Sequence, residues 1–191
     1  MQARSVQTHA IRIRLLAAIF ALGVIGVTPV AGQTSREEKV SAMMAIVRSP
    51  EKHSQDEVAE AIDNLGQLRA AEAVNDLVRL LSFRRTFWWE ASKSDAIQEI
   101  RPVTRSGRYP AVGALFSIGE PALPSLTRVI EKEPGNSLRA ANALEAIGLI
   151  FREKPNDAVR HLREAASKAK GTSASRLSAA AAKLERGHLH R

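Results

Sequence analysis

The stretch Arg108–Ile130, RYPAVGALFSIGEPALPSLTRVI, leaves a chain few ways to fold. Apolar residues fall at Val112, Leu115, Phe116 and Ile118, a helical spacing, and Gly119 then interrupts it. A glycine there suits a helix C-cap, where a left-handed residue is commonly needed. Pro121 follows at a first helical position, where its missing N–H has no intrahelical partner to lose. Pro124 falls in the same first turn, where amides are still unpaired. Leu123, Leu126, Val129 and Ile130 form a second stripe. The stretch therefore predicts two short amphipathic helices joined by a Gly-Glu-Pro corner. Helices of about ten residues are marginal alone, so the pair must pack on other pairs.

Related patterns occur on both sides. Leu65 matches Leu115 and Leu68 matches Ile118. With a one-residue difference in the corner, Val74, Leu77, Leu80 and Leu81 match Leu123, Leu126, Val129 and Ile130. A third copy runs through Leu144, Ile147 and Gly148, then Val159, Leu162 and Ala165-Ala166, with a longer corner at Phe151–Pro155. Repetition of this kind predicts an all-α short solenoid of about three helical hairpins. An initial helix carrying Val40, Met43, Met44 and Val47 and a last one near Ser173–Arg186 would cap its ends. Thr34 with Glu37, Ser35 with Glu38, and Ser54 with Glu57 have capping-box spacing. The last helix shows Leu177, Ala181 and Leu184 but no partner evident in sequence.

Composition agrees with packed helices. Apolar residues make up 45% and aromatics only 4%, so the core must be built from Ala, Leu, Ile and Val. The absence of cysteine excludes disulfides, thiol catalysis and cysteine zinc sites. Residues 1–32 hold Arg4, Arg12 and Arg14 ahead of LLAAIFALGVIGV and the small residues Val30 and Gly32. That is the layout of a secretory signal peptide cleaved before Gln33, with an uncleaved anchor as the alternative. The expected organisation is thus a signal peptide over 1–32 and a solenoid domain over 33–191. Without those three arginines the formal charge of +8 falls to +5, too modest to argue for nucleic acid.

Ala61–Leu81, AIDNLGQLRAAEAVNDLVRLL, and Ala111–Ile130, AVGALFSIGEPALPSLTRVI, resemble HEAT-type repeats. They are most similar to the short variety first recognised in phycobilisome lyases, and Ile118–Pro124, IGEPALP, carries the likeness most strongly. The resemblance covers about Glu57–Ala169 and implies a solenoid whose second helices line one face. It implies no activity, because such repeats serve scaffolds, adaptors and some lyases alike.

The uneven repeat spacing marks an insertion at about 82–107, SFRRTFWWEASKSDAIQEIRPVTRSG. It holds Trp88 and Trp89 beside Arg84 and Arg85, residue types enriched at binding hot spots. Packing of the tryptophans over a neighbouring helix would equally explain them. Extended pieces, one with the tryptophans and one with Ile97, Ile100 and Val103, would leave one tryptophan facing outward. Arg79 and Arg128 occupy the same place in their repeats and predict a short basic ladder, interrupted by Glu164 in the third copy. Ordinary surface ion pairs are the competing reading of that ladder. His53, His161, His188 and His190 lack companions at ligand spacing, so no metal is expected, and no nucleophile or phosphate-loop motif appears. The expected function is an exported, non-catalytic scaffold binding a protein or peptide in the envelope or outside the cell, with no cofactor. The alternative is a lyase-like or small-ligand protein using the groove.

Overall fold

The computed structural model describes residues 31–86 and 104–188. Every regular element among them is helical. In chain order these are α1 (Ala31–Arg48), α2 (Gln55–Gln67), α3 (Val74–Arg79), α4 (Arg105–Arg108), α5 (Pro110–Ile118), α6 (Leu123–Lys132), α7 (Leu138–Ile150), α8 (Pro155–Lys168) and α9 (Thr172–His188). The pairs α2/α3, α5/α6 and α7/α8 are three hairpins of a short solenoid. The first helices stack as α2 on α5 and α5 on α7, and α3 lies beside α6. None of the described helices is long and apolar enough to cross a membrane.

The apolar stripes face one continuous core. Leu65 and its equivalent Leu115 are fully buried, as are Leu77, Leu126 and Leu162 at the matching place in the second helices, and Ile147 in the third copy. Alanine lets the first helices approach closely. A Cβ on Gly66 would lie 2.7 Å from the Ala114 Cα, so α2 and α5 meet almost backbone to backbone.

The corners follow local chemistry. Ser54 caps α2 by accepting from the Glu57 N–H while the Glu57 carboxylate accepts from the Ser54 N–H at 2.8 Å. These bonds from Ser54 hold the Glu57 carboxyl below its ordinary range. Pro121 sits in a single 3-10 turn, Glu120–Ala122, and Pro124 in the first turn of α6. Gly119 has φ 82° and ψ −141°, a conformation open essentially to glycine alone. The equivalent corner places Arg69 at φ 48°, where a side chain is strained. Gly119→Ala is therefore expected to cost about 1–3 kcal/mol although nothing lies within 4 Å of the new Cβ. Arg69→Gly is expected to gain about 0.5–1 kcal/mol. Urea unfolding of both variants checks this, and equal effects at the two corners would contradict it.

Three expectations change. The helix α1 starts at Ala31, so Thr34 and Ser35 lie within it rather than capping it. The helix α3 stops at Arg79 instead of running through Leu81: the Leu80 and Leu81 N–H groups turn to the carbonyls of Leu77 and Val78, and the Leu81 carbonyl just beyond bonds the Asn142 side chain. The last helix does have partners: α9 packs on α8 and α6. Arg176 on α9 donates to the carbonyls of Glu131 and Lys132 at 3.0 and 2.8 Å, covering the end of α6. At the other end α1 packs on α2, and its Arg36 donates to the Leu68 carbonyl at 3.1 Å.

Candidate functional site

The insertion is held at its base by polar groups. The Arg85 N–H donates to the Arg108 carbonyl at 2.9 Å, joining the outgoing and returning strands of chain. The Arg85 guanidinium pairs with Asp63 on α2. Gln55 Nε2 donates to the Arg84 carbonyl at 2.7 Å. Asn142 on α7 is 0% exposed and touches both ends. Its Nδ2 donates to the Leu81 carbonyl at 2.6 Å, and its Oδ1 accepts from Arg105 at 2.8 Å. Thr104 then caps the single turn of α4 through the Gly107 N–H. Arg85, expected at a partner contact, thus has an anchoring partner, and Arg84 supplies a backbone carbonyl to the same base. Trp88, Trp89, Ile97, Ile100 and Val103 lie outside the described residues.

Asn142 and Arg105 were not evident as a pair in the sequence. An asparagine in an alanine-rich helix carries no signal of its own, and its Leu81 partner is 61 residues away.

The structure brings Arg79 and Arg128 onto neighbouring second helices but gives them different surroundings. Arg79 pairs with Asp76 at 3.1 Å, and Asp76 also accepts from Arg48 at 2.9 Å. Arg128 and Lys132 form no ion pair among the described residues. They line a cleft of about 200 Å³ between α3 and α6 with Asn75 and Ser125, whose side chains share a 3.0 Å hydrogen bond. Arg139 closes one end, pairing with Glu133 and donating to the Val78 carbonyl at 3.3 Å. In the third copy Arg160 pairs with Asp157 at 2.9 Å and Arg163 with Glu185 at 2.8 Å. Such exposed pairs are worth about 0–1 kcal/mol each, but they remove the charge a ladder would need. Arg48 and Arg79 share the one carboxylate of Asp76, whereas Arg128 and Lys132 form no ion pair among the described residues.

A second cleft, about 480 Å³, lies where α6, α8 and the start of α9 meet, lined by Glu131, His161, Glu164, Lys168 and Ser173. His161 Nε2 is 2.9 Å from the Thr127 hydroxyl, and its ring centroid is 5.9 Å from that of Phe151. Thr127 is only 7% exposed, so the pair is a polar seam between helices rather than a nucleophile open to a substrate. Burial lowers the His161 pKa, Glu164 opposes that and Lys168 adds to it. The unfolded chain then binds the proton more readily than the folded one, so stability is lost as pH falls below about 6.5. His161→Gln keeps a group able to bond Thr127 but cannot titrate. Wild type is expected to lose more stability than this variant as pH falls toward about 5, read by thermal unfolding. Parallel curves would show that the imidazole stays solvated. Among the described residues no group of three or more His, Asp and Glu side chains is placed to hold a metal. Comparison with known proteins finds no matching family model, no matching curated protein and no matching solved structure.

Proposed function

We propose that the chain is an exported, non-catalytic HEAT-like repeat protein that binds an acidic segment of a protein partner in the envelope or outside the cell. The observation that carries this is the α3/α6 cleft, where Arg128 and Lys132 stand without carboxylate partners among the described residues. Desolvating those two cations against a partner's carboxylates would set register and speed encounter. Asn75 and Ser125 beside them offer polar groups to an extended backbone. Trp88 and Trp89 belong to the same proposal as a separate contact, on a segment whose two ends are fixed to the scaffold. The signal peptide over 1–32 would deliver the domain to that compartment.

The test is affinity capture from the cell envelope with the mature domain, 33–191, followed by titration with the purified captured protein. Arg128→Glu/Lys132→Glu should weaken that titration about tenfold or more while the domain stays helical. Trp88→Ser/Trp89→Ser asks separately whether the insertion shares the contact. Equal affinity for the wild type and both double variants would remove the proposed site. A small ligand copurifying in the His161 cleft, released by His161→Trp, would instead favour the small-ligand reading.

A further inference from the structure

Among the described residues the stack of first helices, α2 on α5 on α7, has no fourth member, and α9 does not take that place. It leans on α8 and α6 and approaches α7 chiefly near Gly148, where a Cβ would lie 3.4 Å from Leu184 Cδ2. Two adjoining hollows remain between α7 and α9, about 450 and 460 Å³, sharing Ala141, Leu144 and Lys183. Their floor is apolar, with Ala141, Leu144 and Leu149 from α7 and Ala179, Ala180 and Leu184 from α9.

The rim has one dominant sign. Arg105, Arg152, Arg176, Lys183 and Arg186 surround the groove, with Glu145 the acid among its lining residues. Arg152 is offset by Glu153 at 3.0 Å and lies 5.2 Å above the Phe116 ring. Arg105 and Arg176 donate to neutral groups, the Asn142 amide and backbone carbonyls, so their charge is not cancelled. Lys183 and Arg186 form no ion pair among the described residues. An apolar trough between two helices, bordered by cations, matches a helix with one apolar stripe flanked by carboxylates.

We propose that this groove docks an acidic amphipathic helix of a partner protein, which completes the stack beside α7. The groove lies apart from the α3/α6 cleft and shares no lining residue with it, so either site can fail without the other. The occupant takes its apolar stripe from the floor, its orientation from the rim charges and its axis from the open position in the stack.

The test uses the full chain and a fluorescent synthetic amphipathic helix of about five turns, with leucines on one face and glutamates flanking them. A scrambled peptide of the same composition and a version with lysine for glutamate are controls. Anisotropy should rise with the acidic helix alone and weaken with salt. Lys183→Glu/Arg186→Glu, exposed changes that leave the fold in place, should weaken binding about tenfold. Ala141→Gln, which fills the floor, should weaken it about as much without altering charge. Equal binding of the scrambled peptide, unchanged affinity in both variants, or binding to anionic phospholipid vesicles instead of the helix would each overturn the proposal. A groove-dependent self-association that excludes the peptide would also overturn it, because the occupant would then be a second copy.

Discussion

Asn142→Leu will lower the unfolding free energy by about 2–4 kcal/mol, because two polar groups lose a buried partner while the branched outline of the side chain is kept. The Leu81 carbonyl loses its 2.6 Å bond just past α3, and Arg105 loses the acceptor that holds the returning chain. Leaving a buried acceptor unmet costs about 1–3 kcal/mol, more than the bond itself contributes. Urea unfolding measures the total, and limited proteolysis near Thr86 and Thr104 reports whether the base has opened. Arg105→Met should cost far less, about 1 kcal/mol, because Arg105 is exposed and Asn142 retains Leu81. A stable Asn142→Leu protein with unchanged cleavage would mean that the insertion does not need this clamp.

The second large effect is steric. Gly66→Leu should destabilise by about 3 kcal/mol or more, since the added atoms would meet the Ala114 backbone rather than a yielding side chain. Gly66→Ala is the finer probe. Helix propensity favours it by about 1 kcal/mol, while the 2.7 Å approach to the Ala114 backbone opposes it. A net loss of about 1–2 kcal/mol is expected. Ala114→Gly in the same chain should restore part of that loss. It removes the methyl group 3.0 Å from the new side chain but leaves the backbone atom behind it. The double-mutant cycle should show a coupling of about 0.5 kcal/mol or more. If Gly66→Ala raises stability, the two helices are not held at that distance in solution.

The parts of this fold that could be read from sequence are those fixed within a few residues. The 3.6-residue stripes of α5 and α6, the Ser54–Glu57 cap and the positive φ at Gly119 each follow from local chemistry. Arg69 shows where that reading stops. Its residue type argues against the left-handed region, yet the matching corner imposes it, so the repeat overrides propensity. Thr34 and Ser35 had good capping spacing, but spacing alone does not choose among several possible starts for one helix.

The candidate sites depended more on distant contacts. The repeat register puts Arg79 and Arg128 on neighbouring second helices, and Asp76, three residues before Arg79, carries the clue to an ion pair there. Asn142 and His161 were different, because the partners that give them meaning lie on other helices. Their side chains are unremarkable until Leu81, Arg105 and Thr127 are brought beside them.

The carboxyl-terminal helix is core rather than tail: Leu177 is 0% exposed and Ala181 1%. A ribosome makes α9 after the helices it covers, so the outer sides of α6 and α8 stay uncovered until Thr172–His188 has emerged. Early hairpins can assemble while the chain grows, yet this core closes only when α9 arrives. A premature stop before Thr172 would therefore do more than trim the protein. It would leave a nascent chain with an apolar flank permanently open, a natural substrate for chaperones and quality-control proteases.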